Sequence, residues 1–395
     1  MVQRSFKGKY LPLLGFGAMR LPLTGESATA IDEAVVDEMV KYAYDHGVRY
    51  FDTAYPYHGG ESERVMGWLL KQFPRDSYYL ATKYPGHQIS SSYNPREIFE
   101  EQLEKCAVDY FDYYLLHNVY EGSIETYLDP RWKIIDYFLE QKNAGRIRHF
   151  GFSSHGSHEN TKQFLDKYGN CMEFCQIQLN YVDWTLQDAK SMYELLTARG
   201  MPIWVMEPVR GGRLADLSEE EESKLKAKRP NESVAAWCFR WLMTLPNVTM
   251  ILSGMSNMAQ VVDNVKTFTN DKPLTGDEIE LLLDIAEGMK DSLPCTSCRY
   301  CVDDCPQGLN IPLLLDLCNQ LRFSPHFNVG MTVESMPEGK RHVACTACAK
   351  CVLTCPQKID IPAAMRGAVE ALAKLPSWAE ICRQRDEAAR AGKNK

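Results

Sequence analysis

The feature that most narrows what this chain can fold into lies near its end. CTSCRYCVDDCPQGLNIP (295–312) is followed 50 residues later by CTACAKCVLTCPQKIDIP (345–362). The two stretches agree at Cys, Thr, Cys, Cys, Val, Cys, Pro, Gln, Ile and Pro, which marks a duplicated unit. Each unit spells C-x2-C-x2-C-x3-C-P. Three thiolates at that spacing wrap one face of an iron–sulfur cubane, and the turn before proline carries the fourth away from it. Zinc also takes four thiolates, but its sites usually come as separated C-x2-C pairs. Eight of the fourteen cysteines sit in these two groups. The N-terminus MVQRSFKGKY lacks the apolar core and cleavage site of a secretory signal, so a cytoplasmic location is expected, where metal ligation is favoured over disulfides.

The run is similar to that of two-cluster ferredoxins, in which the fourth cysteine ligates the other cluster. That resemblance implies Cys295, Cys298, Cys301 and Cys355 for one [4Fe–4S] cluster, and Cys345, Cys348, Cys351 and Cys305 for a second. The segments after each motif, IPLLLDLCNQL and IPAAMRGAVEALAKL, have helical spacing. The domain therefore resembles an α-helical ferredoxin and is expected over 295–376, after a helical connector (275–294) and before a helical tail (377–395). Cys106, Cys171, Cys175, Cys238, Cys318 and Cys382 show no ligand spacing and read as small buried hydrophobes.

Residues 1–274 have a different character. Candidate strands fall at 11–19, 48–53, 78–83, 112–117, 146–154, 174–179, 202–207 and 249–254, each followed by an amphipathic stretch. Strands alternating with helices mean a parallel sheet with crossover helices. Eight units in roughly 250 residues suit a (β/α)8 TIM barrel. A doubly wound sheet would open with GxGxxG leading into a helix, whereas GFGAMR runs into Leu21–Pro22.

Active sites of such barrels lie at the C-terminal ends of the strands. Asp52 ends VRYFD, with Tyr57 in the loop after it; Lys83 ends YYLATK and His117 ends DYYLLH. A capping Asp, a loop Tyr, a surface Lys and a core His are the dull readings taken singly, but four such residues at one rim point to chemistry. FDTAYPYHGGESE, ATKYP, LLHN and GFSSHG, in this order, resemble the aldo/keto reductase family over about residues 10–270. Members with a ferredoxin-like extension are known, and the chain is similar to them throughout.

The resemblance implies carbonyl reduction by a nicotinamide cofactor. Tyr57 is then the general acid, Lys83 the cation that favours its phenolate, Asp52 the partner of Lys83, and His117 a hydrogen-bond donor to the carbonyl. It also assigns Ser153, Ser154 and Gln176 to the nicotinamide carboxamide. Gly211, Gly212 and Leu214 go to the pyrophosphate loop, and Ser256, Asn257, Gln260 and Asn264 to the adenosine end. Where some members carry lysine and arginine for a 2′-phosphate, this chain has Gly254 and Gln260; NADPH is expected, with NADH as the alternative. Glu207 stands where a small polar group is expected. Tyr55 is expected as an aromatic wall of the pocket, with loops 86–94 and 119–130 at the mouth and Tyr84, His87 and Tyr120 among its side chains. Trp132 reads as core packing.

Net charge is −8, which leaves no basic excess for nucleic acid, and no apolar run approaches a membrane span. The acidic run Glu219–Glu222 after Ser218, with Lys224–Arg229 beyond it, reads as a capped, solvated helix. The expected partners are a small carbonyl substrate and a ferredoxin or flavoprotein electron carrier. Three functions stay open: an oxidoreductase whose clusters move electrons, a carbonyl reductase whose clusters are structural or sense oxidation, and an electron-transfer subunit with an inactive barrel. Nicotinamide moves two electrons and a cluster one, so coupling them normally uses a flavin.

Overall fold

Eight apolar strands pair edge to edge in parallel and close into a barrel. They are β3 (Leu14–Gly17), β4 (Tyr50–Asp52), β5 (Tyr79–Tyr84), β6 (Phe111–Val119), β7 (Ile147–Ser154), β8 (Cys175–Gln178), β9 (Ile203–Met206) and β10 (Val248–Ser253), with β10 returning to β3. All eight expected strands form. The computed structural model describes residues 1–376, apart from 26, 28, 89, 91, 290–291 and 324–326, together with residue 380. Apart from residue 380, the expected helical tail (377–395), Cys382 included, lies outside the described residues.

Helices follow the strands and wrap the barrel, their starts fixed by side chains that accept an otherwise orphaned backbone N–H. Asp32, Asn94, Ser157, Ser233 and Asn257 each do so. The charged run forms the solvated helix Glu219–Lys228, opened by a reciprocal Ser218–Glu221 cap. The helix Gly276–Gly288 is tied back by Glu278, which takes two 2.7 Å bonds from Arg229.

The sequence reading did not anticipate the opening hairpin, β1 (Gln3–Phe6) and β2 (Lys9–Pro12). Its two-residue turn has Lys7 and Gly8 both at positive φ, which matches the twist of the flanking strands. Phe6 and Leu11 pack with Tyr50, Tyr113, Phe174 and Trp204. These sit toward the N-terminal ends of the strands, so that end is filled and the opposite rim carries the polar residues.

The chain divides into two units, Met1–Glu287 and Gly288–Lys395. The division falls inside the stretch expected as a connector, and most of the helix Gly276–Gly288 belongs with the barrel. The described residues of the second unit form helices and no strands. Tyr300–Asp303 and Lys350–Leu353 follow the two cysteine loops, and Ile311–Phe323 and Ile361–Leu372 follow the two prolines. Leu314, Leu315, Leu321, Ile361, Met365 and Ala368 are part of its core.

The duplication persists in the backbone. Ser297 and Ala347, Arg299 and Ala349, and Gly308 and Lys358 are matched pairs at positive φ, between 52° and 69°. L-residues hold that conformation at a cost, which the first two pairs share between the copies, while in the third Gly308 adopts it freely. Among the described residues, no helix is long and apolar enough to cross a membrane.

Candidate active site and cluster sites

β4 and β5 are neighbours, which brings Asp52 and Lys83 together from the two strands. The Lys83 ammonium donates to Asp52 Oδ1 at 2.6 Å and to the Thr53 carbonyl at 2.8 Å. Both side chains are buried. Burial pushes the Lys83 ammonium below the usual lysine range and the Asp52 carboxyl above its own, while the attraction between them opposes both shifts.

Tyr57 lies in the turn after β4, with Lys83 Nζ 5.0 Å from its ring centre. His117 stands edge-on to it, ring centres 5.9 Å apart. His117 lies where the pairing of β6 with β7 shifts between Leu116 and Val119, an irregularity that re-aims side chains. The next residue, Asn118, has a positive φ of 53°. Its backbone N–H donates to Ser153 Oγ at 2.8 Å, and the Tyr127 hydroxyl donates to the His117 carbonyl at 2.6 Å. His117 is buried and its Nδ1 takes no hydrogen bond. Desolvation, with His87 and Lys83 nearby, holds its pKa well below the ordinary value, so the imidazole is neutral. The structure thus brings the four residues Asp52, Tyr57, Lys83 and His117 together.

Two further histidines share this corner. His87 lies 4.4 Å from His117, ring centre to ring centre. Burial pushes both His87 and His155 down to about 4. Other expected pocket residues turn elsewhere. Tyr55 donates to Glu101 at 3.0 Å and stacks under Lys105, so it packs on the helix Pro95–Cys106. Tyr84 follows Lys83 and so points to the opposite side of the strand, where it packs against Phe138. Trp132, expected in the core, is only half-buried and meets Tyr93 edge-on.

Register separates the residues expected at the nicotinamide. Ser153 of β7 stands opposite Gln176 of β8, while Ser154 stands opposite Ile177. Gln176 is buried with Oε1 unpartnered, the kind of acceptor an amide NH2 satisfies. Ser154 is engaged in the local turn, through Val119 O, Thr161 Oγ1 and the Gly156 N–H.

In the loop after β9, Gly211 and Gly212 take φ of 69° and 100°, Leu214 is buried, and Glu207 is itself at positive φ. Glu207 pairs with Arg20 at 3.5 Å. Beside it Arg210 and Asp183 form a fully buried ion pair at 3.3 Å. After β10, Asn257 caps the helix Met258–Phe268 through the Gln260 N–H, and Gln260 Oε1 takes the Ser256 N–H at 2.7 Å. Asn264 donates to Ser253.

Sequence reasoning assigned no role to Thr53, Ser62, Glu63 or Gln102. Thr53 Oγ1 bonds Ser62 Oγ at 2.8 Å, and Ser62 also holds the Ala18 carbonyl. Glu63 and Gln102 bind the outer face of β5.

In the second unit, one cavity is lined by Cys295, Cys298, Cys301 and Cys355, and another by Cys305, Cys345, Cys348 and Cys351. The two groups are the two expected ligand sets, each drawing its fourth cysteine from the other repeat. Among the described residues, no three His, Cys, Asp or Glu side chains converge on a position for a single ion. Burial and the neighbouring Cys345, Cys348 and Cys305 push Cys351 up to about 11.

Residues 13–287 match the model of the aldo/keto reductase family. The chain belongs to that family. It is accordingly an oxidoreductase. Residues 294–359 match the 4Fe-4S dicluster domain. L-galactose dehydrogenase of Arabidopsis thaliana is 26% identical over 306 residues, covering 70% of this chain and 92% of that one. The NADH-specific methylglyoxal reductase of Escherichia coli is 22% identical, covering 66% and 90%. The structure of an aldo-keto reductase from Bacillus halodurans superimposes with a TM-score of 0.57 at 24% identity, over 72% of this chain and 96% of that one. One from Klebsiella pneumoniae in complex with NADPH gives 0.58 at 21%, over 72% and 96%. At these identities the structural likeness speaks for the fold.

Proposed function

We propose that the barrel reduces a small oxygenated carbonyl compound with a nicotinamide cofactor, and that the second unit holds two [4Fe–4S] clusters. The observation that carries the first part is the buried Asp52–Lys83 pair at 2.6 Å beneath Tyr57, with neutral His117 at the tyrosine's edge. A nicotinamide held there would supply the hydride for the carbonyl carbon. Tyr57 gives its proton to the developing alkoxide, and the Lys83 charge favours the phenolate left behind. Asp52 holds Lys83 in place. His117, neutral, donates a hydrogen bond to the carbonyl oxygen and orients it without adding a second positive charge.

Ser153 and Gln176 fit the carboxamide, and the unpartnered Gln176 Oε1 supports that assignment. Gly211, Gly212 and Leu214 would line the pyrophosphate loop. The helix N-terminus at Ser256–Asn257, with Gln260 and Asn264 behind it, would take the adenosine end. The cofactor is NADPH or NADH. No lysine or arginine occurs in 253–264 to grip a 2′-phosphate.

For the clusters, the support is the gathering of the eight cysteines into two crossed sets of four. Each cluster carries one electron, so a pair can hold the two that a hydride delivers. Exchange with nicotinamide then calls for a flavoprotein partner. The relatives named above are covered over nine-tenths of their length by about 70% of this chain, which supports reading the cluster unit as an addition to the barrel.

Anaerobic assays of full-length protein, with methylglyoxal and aldoses as substrates and NADPH and NADH side by side, test the reading. Carbonyl-dependent cofactor oxidation that Tyr57→Phe abolishes is expected. Full turnover by Tyr57→Phe would overturn the assignment. Bleaching of the cluster band by cofactor alone would show that barrel and clusters communicate without a flavin.

A further inference from the structure

Behind Lys83, on the side of β5 away from the barrel interior, lies a buried carboxyl that the reaction above does not use. Glu63 sits in the first turn of the helix Glu61–Leu70, which begins directly after the Tyr57 turn. It is fully buried. Its Oε1 accepts from Thr82 Oγ1 at 2.5 Å and from Gln102 Nε2 at 2.6 Å, while Oε2 has no partner. Gln102 Nε2 also reaches the Lys83 carbonyl at 3.0 Å, and the Tyr114 hydroxyl fixes the same amide from its other end at 2.5 Å.

Close helix packing makes the arrangement possible. A Cβ on Gly67 would come within 2.4 Å of the Cys106 carbonyl, so this helix presses directly on Pro95–Cys106 and sets Glu63 beside Gln102. The preceding residue, Ser62, ties Thr53 and Ala18. One helical turn thus anchors the strand ends that carry Asp52 and Lys83 and follows directly on the Tyr57 loop.

We propose that Glu63 is a positioning residue for this site, holding the Lys83 end of β5 through Thr82 and Gln102 and supporting the Lys83 ammonium with its negative charge. The inference rests on the reductase reading given above. Burial raises the Glu63 carboxyl to about 7, with Thr82, Gln102 and Lys105 opposing the rise and Glu101 adding to it. Its charge is felt by Lys83 on β5, Lys105 and Cys106 on the neighbouring helix, Tyr114 on β6 and Tyr55 in the loop. The sign follows from charge alone. A nearby carboxylate makes it harder for Lys83 to lose its proton, and proton transfer from Tyr57 needs the Lys83 charge in place. Removing that charge therefore lowers the pH at which activity falls away on the alkaline side.

The test is the pH profile of kcat, from about pH 5.5 to about 10, for wild type, Glu63→Gln, Glu63→Asp and Tyr57→Phe, with cofactor affinity measured by fluorescence titration. In Glu63→Gln, which keeps the shape and loses the charge, the alkaline limb should move down by about half a unit or more. In Glu63→Asp, which keeps the charge but withdraws it from Thr82 and Gln102, the limb should stay while kcat drops several-fold. Cofactor affinity should be unchanged in both. If Tyr57→Phe is inactive and both Glu63 variants match wild type in limb and kcat, the role of Glu63 is refuted and the reductase reading stands. If Tyr57→Phe is fully active, the reading falls and this inference with it. Should Glu63→Gln fail to fold, Glu63→Asp still decides: a shifted limb or an unchanged kcat would overturn the proposal.

Discussion

Replacing Asp52 by asparagine would strand an ammonium inside the barrel, because Asp52 and Lys83 face each other at 2.6 Å with 3% and 0% of their side chains exposed. At an effective dielectric of about 20, two charges at that separation attract by about 6 kcal/mol. A second route limits the loss. Releasing the proton from a lysine of reference pKa about 10.4 costs about 4.6 kcal/mol at pH 7, so the variant's Lys83 deprotonates before the full attraction is forfeited. The Thr53 carbonyl still accepts from the amine, and a net destabilisation of about 3–4 kcal/mol is expected. The pH dependence has a definite sign. Lys83 in the variant loses its proton well below the unfolded value, so between those two pH values the unfolded chain binds more protons and stability rises with pH. The deficit should shrink to about 1–2 kcal/mol near pH 9.5. Anaerobic urea titrations at both pH values, followed by tryptophan fluorescence, would measure it for Asp52→Asn, Lys83→Met and the double variant. The double variant should recover much of the loss, because no unpaired charge remains. A deficit under about 1 kcal/mol at pH 7, or one that is the same at pH 9.5, would refute the reasoning.

Tyr57→Phe should lower kcat by a factor of about 10² to 10⁴ with cofactor affinity unchanged, as read from steady-state rates and fluorescence titration. Gln176→Leu should weaken binding of the complete cofactor by about tenfold and leave ADP-ribose binding alone; equal weakening of both would place Gln176 away from the carboxamide. Cys355→Ala and Cys305→Ala should each remove one cluster, so iron analysis should give about half the wild-type content for either. Gly67→Ala should destabilise the barrel by about 1–3 kcal/mol in the urea titration, because the added methyl meets the Cys106 carbonyl, a backbone atom that cannot turn aside.

The barrel was legible because each strand is a short apolar run followed by a helical stretch, and in a parallel barrel the polar residues near the strand ends gather at one rim. Asp52, Lys83 and His117 were found in this way. The two cysteine groups were legible from their repeated spacing, and their crossing from the resemblance to two-cluster ferredoxins; the two cavities are lined by those same sets. The opening hairpin was not, since QRSF and KYLP are short strands with polar, largely exposed ends. Its Lys7–Gly8 turn was the available signal. Tyr55 and Tyr84 were misplaced in the pocket for one reason: the sequence says how many aromatic side chains flank the site, but the direction each takes depends on strand register and on helices packed from outside.

Glu63 and Gln102 were overlooked for a subtler reason. Beside Glu61 and Arg64, Glu63 looks like part of a charged, solvated turn. Yet Glu63, Met66, Gly67 and Leu70 fall at i, i+3, i+4 and i+7, all buried, and Phe99, Gln102, Leu103 and Cys106 repeat that spacing on the next helix. A polar side chain on an apolar stripe must find a partner when it is buried. That much can be read from one sequence. Which partner it finds depends on how closely the two helices approach, and here that is set by Gly67 against a carbonyl on the other helix. Polar residues at the strand ends declare themselves in the sequence; those that hold them in place sit where only packing reveals their purpose.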